Sequence, residues 1–577
     1  MDSMWVSAIL ATWLSCSCVW GEQGQALRPP AVPLVTVDPY TRVWQVSGKD
    51  MPGVESVRTI GEAAAKAQAG DVVRIHAGVY REAVVMDRCG SADKPITLEA
   101  AVGADVVMTG ADRITDWKGA EGPDRIAGAP WPHRFITWNP SGTHPSDDYH
   151  LLIGRSEQVF VDGYPMRQVL RREHLARGTF YVDLSEKRLY VWSRDSRSIT
   201  DPKTRVEASV RDVILTVKGD YVVVKGIRFR YAANRAQHGA VVFSGNHLTV
   251  ADCVFECVNS SGAEFSGTDI TVRGCTFQHN GQLGFAANRA HRLLMTGCMV
   301  RDNNVKGFDR GWEAGGNKIC LTRGAVLDGG VFIENRGNGI WFDIGNEACT
   351  VRNCLIASND DAGVFYEISY GLHAHDNVIV RNGLADTAGA WGAGAGISIS
   401  SSPDCIVERN LLIGNREGFN FREQQRSTPR IDSRGGEPVW NHDTTVRNNV
   451  IAYNRDAQTW GWFDMSDDRH WPAEGADTKN KLSLEKLSLT FKDNLYYADS
   501  GQGLFNWGVA WKKHRRYVTL EQVCGELGFE QGSTAAAVRL RDYWALDMRV
   551  PAGSQAIRMD CYPRGDVPGV RLGTWEP

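Results

Sequence analysis

The chain is patterned by short runs in which apolar and polar residues alternate, separated by Gly, Asn and Asp. From Tyr221 to about Asp499 these runs repeat against one another in two columns. One column holds Cys253, Cys275, Cys298, Gly330, Cys354, Asn377, Asn410, Asn449 and Asn494. Five residues on, the other holds Asn280, Asn303, Asn335, Asn359, Asn382, Asn415 and Asn454. Alternation at period two predicts strands with one buried face, and self-similarity at a fixed period predicts a solenoid. Steps of 22 to 24 residues are interspersed with steps near 32, 33, 39 and 45, which predict loops inserted at fixed corners. The expected fold is therefore an all-β right-handed parallel β-helix with three strands per turn. Stacked Asn side chains can hydrogen-bond from rung to rung. Cysteines one rung apart in succession fit small buried residues better than disulfides.

The phrase that stands out within the repeat is Gly339-Ile-Trp-Phe-Asp343, answered by Gly363-Val-Phe-Tyr-Glu367 24 residues later. If Ile340, Phe342, Val364 and Tyr366 face the core, then Trp341, Asp343, Phe365 and Glu367 face outward. Stacked strands lie about 4.8 Å apart, which places Asp343 and Glu367 one strand spacing from each other. Counting four residues from the Gly of each rung, the outward column reads Phe243, Ser266, Asn288, Cys320, Asp343, Glu367, Ser400, Arg422 and, counting from Trp460, Asp464. A single outward carboxylate is ordinarily solvated surface. Two stacked like charges repel, and these are flanked by Trp312, Trp341 and Phe365. Retaining glycosidases need carboxyl groups about 5–5.5 Å apart, and repulsion with partial burial raises the pKa of one member of such a pair.

The remaining segments divide as follows. Residues 1–26 contain an apolar stretch from Trp5 to Trp20, short for a membrane span and placed as a secretory signal would be. The segment lacks a basic start, and Cys16 or Cys18 leaves lipidation open. Residues 27–111 predict an N-terminal cap, with a helix over 56–70 followed by the first rungs. Residues 112–207 break the rhythm and predict an inserted β-sandwich-like subdomain around an Asp162-Gly163 turn, with Asp147–His150 in its lid or linker. The main β-helix is expected over 208–499, and a C-terminal cap with a helix in TLEQVCGELG over 500–577.

With 60 glycines, 42% hydrophobic and 23% charged residues, the 577-residue chain is folded and turn-rich. A net charge of −4 without interleaved basic and aromatic residues gives no nucleic-acid groove. No later segment reads as transmembrane, and oligomeric state is left open. The expected location is secreted or periplasmic.

The stretches Gly70–Glu82 and Lys94–Leu98 resemble the first rungs of β-helix carbohydrate-active proteins. With the inserted subdomain, WFDIGN and FYEISYG resemble family 120 β-xylosidases. Trp312-Glu-Ala-Gly-Gly-Asn-Lys318 and the C-terminal cap are similar to the broader β-helix hydrolases, including family 141. The resemblance implies a retaining, exo-acting glycoside hydrolase on an oligosaccharide or polysaccharide, with Asp343 as nucleophile and Glu367 as acid/base. No cofactor is expected, with a structural or substrate-binding Ca²⁺ left open.

The candidate substrate-binding residues are Trp312, Glu313, Lys318, Trp341, Arg422 and Glu423. Lys318 shares Trp341's column, and Arg422-Glu423 is expected to project toward a subsite. Trp391, Trp440, Trp460 and Trp462 lie in or beside long loops, where flat rings can stack on sugars. His373 and His375 read as surface polar residues. Two alternatives stay open. One is a polysaccharide lyase or uronan epimerase using Lys318 or Arg422, with Ca²⁺ held by Glu313, Asp343 and Glu367. The other is a non-catalytic carbohydrate-binding β-helix.

Overall fold

The computed structural model describes residues 42–49, 51, 53–54, 56–119, 126–135, 152, 154–195, 197–385, 394–424, 426–433, 435–464, 487–499, 502–509 and 513–576. The N-terminal apolar stretch, Asp147–His150 and Trp391 lie outside them. Three long sheets of 14, 13 and 13 strands run the length of the molecule, and within each the neighbours pair in parallel for almost the whole length. Each rung contributes one strand per sheet, which is the parallel β-helix expected. Phe229, Phe255 and Phe277 stack along its interior with ring centroids 5.2 and 4.8 Å apart.

The Asn column is a continuous ladder. Asn280, Asn303, Asn335, Asn359, Asn382 and Asn415 each donate Nδ2–H to the Oδ1 of the next, at 2.8–3.2 Å, and Asn454 ends the run by donating to Gln458 Oε1 at 2.9 Å. The same Oδ1 also accepts the backbone N–H of the preceding Asn, and each Nδ2 also donates to a backbone carbonyl of an earlier rung. The glycine that opens each outward strand serves this ladder. A Cβ on Gly339 would lie 2.6 Å from Asn359 Nδ2, and one on Gly363 3.0 Å from Asn382 Nδ2. The two repeated residues are thus halves of one packing device. A second ladder links Asn377, Asn410, Asn449 and Asn494. The cysteines of this column are free, as are all cysteines among the described residues. Their thiols donate to nearby carbonyls, as Cys354 does to Arg352 O at 3.1 Å, and burial pushes the Cys354 thiol up to about 12.

Between Ala111 and Ser209 the chain leaves the solenoid to form two four-stranded sheets around a core that includes Trp131, Phe180 and Leu189. The N-terminal helix is shorter than expected, Ile60–Lys66, because Ser56–Val57 pairs in parallel with Gln45–Val46 and Thr59 caps the helix by accepting from Glu62 N. The Glu82 carboxylate accepts the N–H groups of Ile60 and Gly61. At the other end the solenoid runs beyond Asp499. Phe505–Val509 adds a parallel strand, and antiparallel Lys513–Tyr517 then closes that sheet. The helix Leu520–Leu527 follows, with a Thr519/Gln522 capping box and left-handed Gly528 at its end.

Asn359→Ala would leave Asn335 N without its acceptor and remove the side-chain bonds to Phe332 O and Asn382 Oδ1, at about 1–3 kcal/mol for a buried group left unsatisfied. Denaturant unfolding is expected to show at least that loss, and Gly339→Ala is expected to destabilise through the same ladder by about 1–3 kcal/mol. Wild-type stability in both variants would contradict this account.

Candidate active site

Five strands of one sheet lie side by side at the centre of the solenoid: Gly315–Cys320, Ile340–Asp343, Val364–Glu367, Ala395–Ser400 and Glu417–Gln424. Phe342 pairs with Tyr366, and Gly345 N donates to Ile368 O at 2.8 Å, so Asp343 and Glu367 stand opposite each other on adjacent rungs. Cys320 precedes Asp343 in this row, and Ser400 and Arg422 follow Glu367. Ile340, Phe342, Val364 and Tyr366 lie in the solenoid core, while Trp341 and Phe365 form a separate cluster with Ala362 on the outer face.

Each carboxylate is the last residue before a corner. The next residue is left-handed in four of these five rungs: Leu321 (φ 49°), Ile344 (58°), Ile368 (37°) and Ser401 (45°). For β-branched Ile344 and Ile368 that conformation is strained. It is held by a polar ladder at the corner, in which Asn346 Oδ1 accepts Thr322 N, Ser369 Oγ accepts Asn346 N, and Ser402 Oγ accepts Ser369 N at 3.0–3.2 Å. Asn346 Nδ2 also donates to Asp343 O at 2.9 Å, tying the ladder to the carboxylate's own backbone.

Although they face outward, the two carboxylates are not solvated surface. Asp343 is 7% and Glu367 5% exposed. Their settings differ. Lys318 Nζ lies 2.9 Å from Asp343 Oδ2 and 2.9 Å from Glu313 Oε1, and 4.4 Å above the Trp341 ring. Asp343 Oδ1 is buried and has no hydrogen-bond partner among the described residues. Glu367 Oε1 accepts from Arg426 Nη1 at 2.8 Å. Burial first, and the charge of Asp343 second, raise the Glu367 pKa against the opposing pull of Arg426. Lys318 is raised too: burial opposes its charge, but Asp343 and Glu313 together more than offset that.

Of the residues singled out in the sequence, Glu313, Lys318, Trp341, Asp343 and Glu367 converge. Trp312 is half-buried and stacks on Phe308 at 6.4 Å. Arg422 lies in the carboxylate row, two strands from Glu367. Glu423 does not project with it. It shares the alternation of Phe419 and Phe421, is fully buried, and accepts Asn441 N at 2.7 Å, so it braces a corner instead of lining a subsite.

The outward row also differs from the sequence count at both ends. Phe243 pairs with Phe265 in the core, and Arg422 pairs with Trp462, not Asp464, because Gly418 lies next to Gln458 and not Trp460. Trp460 pairs with Asn420, in the same outer row as Trp341, and Trp440 packs against the core. His373 and His375 contact Glu408 and Asp376. Among the described residues, one group of three has ligand atoms close enough to share a metal ion: Asp404, His442 and Asp443, at a corner apart from the carboxylate pair. Arg426 has no counterpart in the sequence reading. It belongs to an insertion, outside the repeat, and only its place two residues beyond Gln424 in FREQQR hinted that it follows a strand of this sheet.

The profile of the right-handed β-helix region matches residues 213–412 and 314–508, which together span half of the chain. The chain belongs to the right-handed β-helix family. No curated protein sequence matches this β-helix. Among solved structures, the complex of XylC with xylose is 17% identical over 87% of this chain and 88% of that one, with a TM-score of 0.62. A glycoside hydrolase is 11% identical over 85% and 95%, TM-score 0.46, and the pectate lyase Pel9A 12% identical over 90% and 91%, TM-score 0.34. At 17% identity the likeness to XylC establishes the fold and leaves the reaction to the site.

Lys318→Met would leave Asp343 as a buried carboxylate, and half-buried Glu313 beside it, without their shared cation. It is expected to cost about 3–5 kcal/mol, read in thermal or denaturant unfolding near neutral pH. Unchanged stability would show that the ion triad is not formed in solution.

Proposed function

We propose that this β-helix is a carbohydrate-active enzyme, a retaining glycoside hydrolase in which Asp343 is the nucleophile and Glu367 the acid/base. The observation that carries this reading is the unequal setting of two carboxylates on adjacent rungs. Asp343 has one oxygen held by Lys318 and the other without a hydrogen-bond partner among the described residues, which leaves its lone pairs uncommitted for attack. Glu367 has a raised proton affinity, as a donor must have.

In the first step Asp343 Oδ1 forms a bond to the anomeric carbon while the glycosidic bond breaks, and Glu367 gives its proton to the departing oxygen. In the second, Glu367, now a carboxylate, takes a proton from water, whose oxygen displaces Asp343 from the sugar. Trp341 and Phe365, both buried, pack beside the pair, and Glu313, the most exposed of these groups, offers a polar group for sugar hydroxyls. The β-helix fold shared with XylC, whose structure holds xylose, supports trying pentosides first. The apolar stretch Trp5–Trp20 supports export.

The lyase alternative needs a cation among Glu313, Asp343 and Glu367. The Lys318 ammonium lies between the first two, which favours the hydrolase reading.

With aryl glycosides carrying poor leaving groups, Glu367→Gln is expected to lose about 10²–10⁴-fold in kcat/KM. Much less should be lost with activated leaving groups, where azide should rescue turnover and give a glycosyl azide of retained configuration. Asp343→Ala should be inactive on both, with azide giving the inverted product. Activity needs Glu367 protonated, so the basic limb of kcat/KM should lie above the ordinary glutamic acid value of about 4.3. Turnover that survives both substitutions, or unsaturated product abolished by chelator, would contradict the proposal.

A further inference from the structure

Arg426 reaches Glu367 from an excursion that leaves the solenoid two rungs further on. Strands Arg426–Pro429 and Gly436–Val439 form an antiparallel hairpin, and it does not extend away from the solenoid. It folds back over the corner that follows Asp343 and Glu367. Pro429 O lies where a Cβ on Gly345 would approach to 2.2 Å, so only glycine at 345, itself left-handed at φ 64°, admits the hairpin this closely. Val439 packs with Ile368 and Tyr370, and Arg430 lies 4.0 Å over the Tyr370 ring.

The strongest attachment is a buried carboxylate that faces away from the site. Glu347 Oε1 accepts from Arg430 Nε at 3.0 Å and from Ile431 N at 3.1 Å, while Oε2 accepts from Arg323 Nε and Nη2 at 3.0 and 2.9 Å. Arg323 also reaches Asp432 at 2.5 Å. A carboxylate with this many donors, two of them on one hairpin turn, is a fixed anchor. The hairpin's exit is fixed separately, by Glu423 accepting Asn441 N.

We propose that this hairpin is the positioning device of the acid/base: Glu347 anchors it, and it presents Arg426 to Glu367. Glu347 then acts on the reaction through Arg426 without touching the site. The inference rests on the reading of Glu367 as acid/base. A guanidinium on Oε1 fixes the plane of the carboxyl group. Its charge also opposes the burial and the Asp343 repulsion that would otherwise hold the proton too tightly for transfer. The other groups facing Glu367 are Asp343, Lys318 and the Cys320 thiol on the preceding strands, the thiol kept neutral by burial, and neutral Ser400 on the following one. Glu313 lies beyond Lys318, and Arg422 beyond Ser400.

Two measurements on the full chain test this. Without Arg426 the basic limb of kcat/KM should move up by about one pH unit in Arg426→Gln, with kcat falling about tenfold and KM little changed. Arg426→Lys should stay nearer wild type. Glu347→Gln, and the milder Arg430→Gln should the first fold poorly, should move the limb in the same direction. The double variant Arg426→Gln/Glu347→Gln should move it no further than Arg426→Gln alone.

The second readout is independent of turnover. A raised folded-state pKa makes Glu367's contribution to stability fully present below its unfolded value and lost as pH rises through the folded one. Arg426→Gln should therefore extend the fall of Tm to higher pH, and Glu367→Gln should abolish that difference. A limb that stays at wild type in Glu347→Gln and Arg430→Gln while Arg426→Gln shifts it would overturn the proposal. So would additive shifts, or an Arg426→Gln variant unchanged in both limb and Tm profile. If Glu367→Gln kept wild-type turnover, the catalytic reading would fail, while the Tm profiles would still decide whether the hairpin sets Arg426 on Glu367.

Discussion

Everything at the site depends on the hydrogen bonds that run between like residues of successive rungs. In a parallel sheet a slip of one residue turns every side chain to the opposite face, so an outward row has meaning only if the register is fixed. The ladder from Asn280 to Gln458 fixes it, because each Oδ1 is shared between the backbone and the side chain of one preceding Asn. The glycine beside each Asn leaves no room for a shifted alternative. Asp343 and Glu367 are opposed because Asn359 and Asn382, and Gly339 and Gly363, are opposed.

From that scaffold the electrostatics follow by position. The sheet brings two carboxylates within one strand spacing, and burial makes their mutual repulsion count. The neighbouring strand supplies Lys318 to one, and a long insertion supplies Arg426 to the other. Equal sequence positions thereby acquire unequal chemistry. The remaining cations and anions near the pair are also matched, with Glu313 on Lys318 and Glu347 on Arg323 and Arg430.

The solenoid, its columns and the carboxylate pair were legible in the sequence because a repeat reports the same local rule many times over. Parity along a strand was enough to place Trp341, Asp343 and Lys318 on one face. The same parity argues against Glu423 as a subsite residue: it alternates with Phe421, and its neighbour Arg422 takes the outward position. Counting failed at Phe243 and Asp464, where the residues taken as zero, Gly239 and Trp460, were not the ones in register. Arg426 was not legible, since it belongs to a segment that folds back from an insertion. Such contacts join residues 59 and 83 positions apart with no periodicity to announce them.

The central claim is that Asp343 attacks the sugar directly. It is tested most directly by trapping: the enzyme is incubated with a 2-deoxy-2-fluoro glycoside of a sugar it hydrolyses, carrying an activated leaving group, and the digest is mapped by mass spectrometry. The account predicts one fluoroglycosyl adduct, on the peptide containing Trp341-Phe342-Asp343 and borne by Asp343. Rapid hydrolysis of the unfluorinated substrate with no adduct and an inverted first product, or an adduct on another residue, would contradict it.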